Sequence, residues 1–160
     1  MRFLKQSFLF GFFALLFSTQ AQAQSSKYKL MLQMTNYDGE NAYLVVSLIN
    51  PNGEYEKTLA VMGDNKKWYK GLKEWFKAQN QKPEQLSAIT GASVGAGDRS
   101  TTVLNIDDSV FDKGYKLRIE SAVEHAKYHT EDAVIPLTQA DFSKKVSGKG
   151  YVRTVKLNKL

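Results

Sequence analysis

Hydrophobic and polar residues alternate in several short segments of this chain, and this alternation is the feature that most restricts its fold. In the first segment every second residue from Tyr28 to Met34 contributes to one apolar face. A period of two is typical of a β-strand with one buried face. Similar segments separated by turn residues predict seven strands in all. They cover residues 28–35, 42–49, 54–62, 99–106, 115–124, 133–137 and 151–157.

The turn residues between these segments predict how the strands connect. Asn50-Pro51-Asn52-Gly53 favours a tight hairpin between the second and third strands. We expect the first three strands to form a meander, preceded by a frayed segment at residues 25–27. The predicted fold is mainly β, an immunoglobulin-like β-sandwich of about seven strands with one inserted amphipathic helix.

The helix is predicted between residues 64 and 83. Asp64 or Asn65 can cap its start, and Asn80 and then Pro83 can end it. We expect Trp75 and Phe76 to be core residues, whereas the position of Trp68 near the start is left open. The apolar face follows a 3.6-residue period. Its members are Trp68, Leu72, Trp75, Phe76 and Gln79, and Lys66, Lys67, Lys70, Lys73 and Lys77 fall mostly on the other faces.

Residues 1–23 have the composition of a secretory signal peptide. Arg2 and Lys5 supply the positive start, residues 7–17 a short apolar run, and residues 21–23 a small-residue cleavage site. The apolar run is too short to span a bilayer, and no comparable run follows it. We therefore expect cleavage, a single mature domain at residues 24–160 without a membrane span, and a periplasmic or secreted location.

Composition excludes several classes of function. The net charge of +6 falls to +4 when Arg2 and Lys5 leave with the signal peptide, and mild basicity in an exported chain does not predict nucleic-acid binding. The absence of cysteine excludes thiol redox chemistry, iron–sulfur clusters and thiolate-bound zinc. Ser87 and Ser93 have no obvious histidine partner in the sequence, so the chain gives no case for a hydrolase and we assign no catalytic residue.

Two groups of residues resemble metal ligands but are interpreted otherwise. His125 and His129 are four residues apart, the spacing of a metal pair on a helix. They follow a predicted strand, however, and in a continuing strand they would lie roughly 13 Å apart. A surface or structural role is favoured, and no metal site is assigned. Asp107, Asp108 and Asp112 lack the spacing of a calcium loop and indicate a solvated turn.

The segment 87–93 is rich in small and hydroxyl-bearing residues, with the sequence Ser-Ala-Ile-Thr-Gly-Ala-Ser. Gly91, Gly95 and Gly97 predict a tight, flexible loop instead of a helix or strand. In the simplest interpretation this loop is a plain connection. The alternative is that Ser93 presents an exposed hydroxyl among small neighbours, which leave room for a modifying enzyme.

Several separate blocks of the sequence, in order, resemble the exported proteins grouped as domain of unknown function 2271 and described as predicted periplasmic proteins. The resemblance covers most of the mature chain and implies a β-sandwich similar to those of flagellar-hook capping proteins. The blocks are Thr58-Leu59-Ala60, Lys67-Trp68, Leu72-Lys73-Glu74-Trp75, Ala88-Ile89-Thr90-Gly91-Ala92-Ser93 and Ile119-Glu120-Ser121-Ala122-Val123-Glu124-His125.

The same resemblance implies a cofactor. Flavin carriers modified by a periplasmic FMN transferase bear a motif similar to Asp-x-x-Ser/Thr-Gly-Ala-Ser/Thr, with FMN esterified to the last hydroxyl. On this chain the motif assigns Ser93 as the acceptor, preceded by Thr90, Gly91 and Ala92. Ser87 departs from the motif, which has Asp at that position.

If FMN is attached, other side chains are expected around it. Trp68 and Tyr69 would stack near the flavin ring, and Lys70 or Arg99 would pair with the phosphate. Trp68 is therefore a predicted cofactor-binding residue together with the loop residues.

Two functions of different classes follow from the sequence. The first is an envelope redox carrier with covalent FMN, whose partners would be the FMN transferase and a membrane redox protein. The second is a non-catalytic immunoglobulin-like module that binds an envelope protein or a small ligand, and a buried Ser93 would favour it. Haem or iron handling through His125 and His129 is a third hypothesis.

Overall fold

The computed structural model describes residues 24–160. The predicted signal peptide at residues 1–23 lies outside the described residues, and the assignment of 24–160 as one domain stays a prediction. The described part of the chain is mainly β, with nine strands in two sheets. No helix within it has both the length and the apolar character needed to cross a membrane.

The strands alternate with turns and one short helical region. They are β1 (Ser25–Met34), β2 (Tyr43–Ile49), β3 (Tyr55–Met62), β4 (Thr90–Gly91), β5 (Arg99–Asp107), β6 (Lys116–Ala122), β7 (Tyr128–Pro136), β8 (Val146–Ser147) and β9 (Val152–Lys159). The helical elements are the α-helix α1 (Lys73–Gln81) and 3₁₀ helices at Lys66–Gly71, Ser87–Ile89 and Asp108–Val110.

The strands form a four-stranded and a five-stranded sheet. The first sheet has the order β5-β1-β9-β8 and the second the order β4-β3-β2-β6-β7. All pairs are antiparallel except β3 with β4, which run parallel. Apolar side chains from both sheets share one core, which includes Leu30, Leu44, Leu104, Ile119 and Leu157.

All seven predicted strands are present, and the two additional strands, β4 and β8, contain two residues each. Such short strands carry no recognisable alternation, which explains why the sequence did not predict them. The expected frayed start at residues 25–27 is wrong, because Ser25 already pairs with Asp107 in the first sheet. The immunoglobulin-like arrangement stays a prediction.

The predicted meander of the first three strands is half correct. β2 and β3 form a hairpin whose turn includes Gly53 at a φ of 84°, where a residue without a Cβ is favoured. β1, in contrast, belongs to the other sheet. Alternation shows that a strand has a buried face but not which strand lies beside it, so the sequence left this crossing undetected.

The segment predicted as one amphipathic helix is divided in two. A 3₁₀ helix, Lys66–Gly71, precedes α1, and Leu72 between them has a φ of −86° and a ψ of 72°. The start is as predicted, because the Asn65 side chain accepts a hydrogen bond from the backbone N–H of Lys67. The helix ends at Gln81, within the predicted 80–83 interval.

The helical region covers the outer face of the second sheet and forms a second apolar cluster there. Trp75 is fully buried in this cluster, as expected, whereas Phe76 is only partly buried beside it. The indole N–H of Trp75 donates to the hydroxyl of Thr58 on β3 over 2.8 Å. Both faces of the second sheet are therefore covered, which explains the nearly continuous burial of β2.

The sharp connection between β6 and β7 differs from its prediction. The strand expected to reach residue 124 ends at Ala122, and the next begins at Tyr128 instead of residue 133. His125 lies in the turn between them with a φ of 57°, a left-handed backbone conformation. This turn faces the start of the helical region across the cavity described below.

Candidate functional site

A cavity with a volume of about 670 Å³ lies at one end of the second sheet. Its walls are the start of the helical region and the β6–β7 turn, and Tyr43 at the start of β2 also lines it. The residues that line it are Glu40, Asn41, Tyr43, Trp68, Lys70, Gly71, Lys73, Ser93, Ala122, Val123, Glu124, His125, Ala126 and Tyr128. We refer to this space as the aromatic cavity.

Trp68 reaches the aromatic cavity because the helical region begins as a 3₁₀ helix. Residues three apart in a 3₁₀ helix lie on one side, and Tyr69, Leu72 and Trp75 form the buried row against the second sheet. Trp68 lies beside this row and is half-buried. The expected 3.6-residue face, which grouped Trp68 with Leu72 and Trp75, is therefore wrong for Trp68.

Ser93 also lines the aromatic cavity and follows the short strand β4 along the chain. The prediction that the segment before it is neither helix nor strand is wrong, because Ser87–Ile89 is a 3₁₀ helix and Thr90 and Gly91 pair with Val61 and Met62 at the end of β3. On the other side of Ser93, Val94 is buried and forms a two-way backbone pair with Ala42. Ser93 is thus held between two anchored residues and is itself half-buried.

A second, smaller hollow of about 270 Å³ adjoins the other side of Ser93. Gly91 and Ala92 line this hollow and do not line the aromatic cavity. Thr90 lines neither, and its hydroxyl donates to the carbonyl oxygen of Leu86 over 2.7 Å. Of the five predicted cofactor-binding residues, Ser93 and Trp68 therefore line the aromatic cavity, whereas Gly91, Ala92 and again Ser93 line the second hollow.

The residues expected to surround a flavin are also divided. Lys70 lines the aromatic cavity, but Arg99 lines the second hollow, where its Nε donates to Gln33 over 2.6 Å. Tyr69 does not line the aromatic cavity. Its hydroxyl donates to the carbonyl oxygen of Gly63, and its ring packs edge-on against Trp75 with the ring centroids 5.1 Å apart.

Two aromatic residues of the cavity were missed by the sequence analysis. Tyr43 belongs to an apolar run, where its position suggested only a strand, and Tyr128 lies in a segment interpreted as a connection. Tyr128 donates from its hydroxyl to the carboxylate of Glu120 over 2.6 Å. Burial, and then this hydrogen bond to a carboxylate, raise the pKa of Tyr128 to about 12.

Only some of the charged side chains that line the aromatic cavity have a charged partner within 4 Å. Glu124 pairs with His125, with Oε1 and Nε2 separated by 3.1 Å. Lys70 and Lys73 take part in none of the ion pairs formed within residues 24–160. The Lys73 ammonium lies 5.9 Å from the centroid of the Tyr128 ring. Cationic charge is therefore available at the helical wall.

His125 and His129 do not form a common site. The side chain of His125 is 90% exposed in the β6–β7 turn and lines the aromatic cavity. His129 lies within β7, and its ring packs edge-on against Tyr151 with the centroids 5.1 Å apart. Within residues 24–160, no group of three or more His, Asp or Glu side chains is arranged to hold a metal ion.

The acidic segment at 107–112 is more than a solvated turn. Asp107 caps the 3₁₀ helix Asp108–Val110 by accepting from the backbone N–H of Ser109 over 2.8 Å. Asp108 accepts hydrogen bonds from Ser26 and Tyr28 on β1, over 2.7 and 3.1 Å. These carboxylates fasten the turn to the first sheet.

The model of a family described as "Predicted periplasmic protein (DUF2271)" matches residues 25–154. No curated protein and no solved structure matches the chain.

Proposed function

Since the chain belongs to this family of predicted periplasmic proteins, we propose that it is a periplasmic redox carrier with FMN esterified to Ser93. One observation carries the proposal. Ser93 and Trp68, named from different parts of the sequence as acceptor and stacking residue, line the same cavity. The volume of about 670 Å³ lies in the range of ligand pockets, which are usually apolar with a few polar groups.

The attachment chemistry requires an activated FMN phosphate supplied by the transferase, such as the pyrophosphate of a flavin dinucleotide. The Ser93 oxygen would form a new bond to the FMN phosphorus while the pyrophosphate bond breaks. The nucleoside monophosphate leaves, and the hydroxyl proton passes to a base or to solvent. The product is a phosphodiester that bears one negative charge.

The surroundings of Ser93 support access by a transferase. Gly91 and Ala92 are exposed, and the space beside the Gly91 Cα is open, since a Cβ added there would meet no atom within 4 Å. Ser93 itself is half-buried, so the condition that favours the alternative binding module, a buried Ser93, is not met. The Thr90 hydroxyl is already bonded to Leu86, which leaves Ser93 as the better acceptor.

The residues of the aromatic cavity suit a flavin. Trp68, Tyr43 and Tyr128 supply rings on which a planar ring system can stack. Lys70 supplies a cation for the phosphodiester, and Glu40 and Asn41 supply hydrogen-bonding groups at the rim. FMN would provide the electron transfer, and the protein would fix its position and limit its contact with water.

Two finer assignments belong to the same proposal. The core that the four-stranded and the five-stranded sheet share supports an immunoglobulin-like sandwich. A carrier of this kind would exchange electrons with a membrane redox protein, and it would receive FMN from a periplasmic transferase.

Intact mass tests the proposal directly. We would co-express the chain with a periplasmic FMN transferase in the wild-type form and as Ser93→Ala. The expected result is a gain of one FMN in the wild type and none in Ser93→Ala. A Thr101→Ala variant is a matched control, because Thr101 is an exposed hydroxyl residue that borders the second hollow.

The outcomes separate the two functions considered. A gain of FMN that persists in Ser93→Ala would place the acceptor elsewhere and contradict the assignment of Ser93. No gain in the wild type would contradict the carrier and favour the non-catalytic module that binds an envelope protein or a small ligand.

A further inference from the structure

We infer that the aromatic cavity is a reversible binding site for a planar heteroaromatic ligand that carries a phosphate or carboxylate group. This inference goes beyond covalent attachment, because it requires no ester at Ser93. It rests on three properties of the cavity. These are its aromatic walls, two lining lysines that form no ion pair within residues 24–160, and the ammonium groups that lie against its rings.

The walls select a flat ligand. Trp68 on the helical side and Tyr128 on the side of the β6–β7 turn both line the cavity, and Tyr43 lies at the start of β2. Aromatic side chains are usually buried in the core, but Trp68 and Tyr43 stay half-buried at this rim. Stacking against an indole or phenol face is the most effective contact such walls offer to a ligand.

The lysines select a negative charge on that ligand. Lys70 and Lys73 line the cavity and are exposed, and no carboxylate within residues 24–160 forms an ion pair with either of them. Of the two lining carboxylates, Glu124 pairs with His125. Glu40 is the other lining carboxylate. Lys70 and Lys73 are the lining ammonium groups with which a phosphate or carboxylate of the ligand would pair.

A cationic ligand is disfavoured although aromatic walls often bind cations. The ammonium of Lys67 lies 4.5 Å from the centroid of the Trp68 ring. The ammonium of Lys73 lies 5.9 Å from the centroid of the Tyr128 ring. A positively charged ligand would meet these like charges, whereas an aromatic anion would stack on the rings and pair with Lys70 or Lys73.

The test uses the full mature chain as Ser93→Ala, in which no ester can form at this position. We would titrate it with FMN and with riboflavin and follow flavin fluorescence. FMN combines a planar ring with a phosphate, and riboflavin has the ring alone. We expect saturable quenching by FMN, several-fold weaker binding of riboflavin, and weaker FMN binding as the salt concentration rises.

Substitutions of the lining residues identify the side chains that contact FMN. Trp68→Ala should weaken FMN binding about tenfold or more, while Trp68→Phe, which keeps a ring, should retain most of it. Lys70→Gln with Lys73→Gln should reduce the affinity for FMN to that for riboflavin. Lys77→Gln is the matched control, since Lys77 is exposed on α1 but does not line the cavity.

Each outcome has a defined meaning. The inference is overturned if FMN shows no saturable binding. It is also overturned if Trp68→Ala binds FMN as tightly as the chain with Trp68. If the wild type gains covalent FMN but the Ser93→Ala chain binds none, the proposed carrier survives and the reversible site does not. Reversible binding without any covalent gain supports the site and contradicts the carrier.

Discussion

At the scale of single residues, Ser87 is the position at which this chain departs from the flavin-attachment motif. The motif has Asp there, six residues before Ser93, the proposed acceptor. Ser87 begins the 3₁₀ helix Ser87–Ile89 and is exposed to solvent. A carboxylate at this position would remain hydrated, so it can be introduced without burying a charge.

The first prediction concerns this residue. Ser87→Asp should restore the carboxylate of the motif and increase, several-fold, the initial rate at which the transferase adds FMN. The measurement is the modified fraction by intact mass at early times. Gln85→Asp is the control, because it adds the same charge at another exposed position of the same segment. An equal or lower rate in Ser87→Asp would contradict the prediction that a carboxylate at this position promotes the modification.

The sequence revealed some residues of the site and not others for a physical reason. Ser93 and Trp68 were found through local blocks of sequence. Tyr43 and Tyr128 enter the cavity through long-range strand pairing, since β6 lies between β2 and β7 in the second sheet. No spacing along the chain encodes that proximity.

The buried Asp132 was missed for the same reason. Its carboxylate accepts from the Ser121 hydroxyl on the neighbouring strand β6 and from the backbone N–H groups of Lys149, Gly150 and Val152. These donors lie 11 to 20 residues away along the chain. The sequence showed a charged residue near a strand, and only the fold explains why it is fully buried.

At the scale of elements, α1 obtains its N-terminal cap from the sheet beneath it. Leu72, at the cap position, offers no side-chain hydrogen bond. Instead, the backbone N–H of Glu74 donates to the hydroxyl of Tyr128 over 3.0 Å, and the N–H of Trp75 donates to the carboxylate of Glu120 over 3.2 Å. The helix is therefore fixed to β6 and β7 through the N–H groups that its first turn leaves free.

The second prediction removes this connection. Tyr128→Phe keeps the ring at the cavity but leaves the Glu74 N–H without its acceptor and Glu120 without one of its donors. We expect a loss of about 1–2 kcal/mol in the free energy of unfolding. Amide hydrogen exchange should accelerate most at the start of α1, because the cap is lost there. Both quantities are measurable, by urea denaturation and by exchange mass spectrometry.

Tyr115→Phe is the matched control for this prediction. Tyr115 is also half-buried beside the main core, and its hydroxyl forms no side-chain hydrogen bond within the described range. Its removal should change stability little. If Tyr128→Phe were as harmless as Tyr115→Phe, the hydroxyl of Tyr128 would not be what holds α1 to the sheet.

The division of the helical region shows how far periodicity can predict an element. The residues between Asn65 and Pro83 correctly predicted helical structure and its two ends. They did not show that the first turn is 3₁₀, because Tyr69, Leu72 and Trp75 fit a spacing of three while Trp68, Leu72 and Trp75 fit spacings of four and three. The second sheet selects between these rows by burying Tyr69.

At the scale of the whole molecule, the two ends of the described chain are joined within one sheet. β1 pairs with β9 along most of its length, and the backbone N–H of Leu160 donates to the carbonyl oxygen of Lys27 over 2.9 Å. The alternation predicted both strands. Their pairing could not be predicted, since it depends on how the intervening strands divide between the two sheets.

Asp108 connects both ends to the middle of the chain. Besides Ser26 and Tyr28 near the start, its carboxylate contacts the ammonium of Lys159 near the end, over 3.4 Å. The hydrogen bond from Ser26, followed by those from Tyr28 and Lys159, holds the pKa of Asp108 below its ordinary value of 3.8. The ionised form is therefore favoured by the folded state.

The third prediction follows from the sign of that shift. A carboxyl group whose pKa is lower in the folded state stabilises the fold above its unfolded pKa, and this stabilisation disappears as the pH falls through the lowered value. Asp108→Asn should thus reduce stability at neutral pH and flatten the loss of stability below about pH 4. Urea denaturation at a series of pH values measures both effects.

Part of the acid dependence should remain, because the pKa values of Asp107 and Asp141 are also lowered. Asp38→Asn, which removes a carboxylate at an exposed position, is the control. A profile for Asp108→Asn that runs parallel to that of the wild type would contradict the role of Asp108 in joining the two ends.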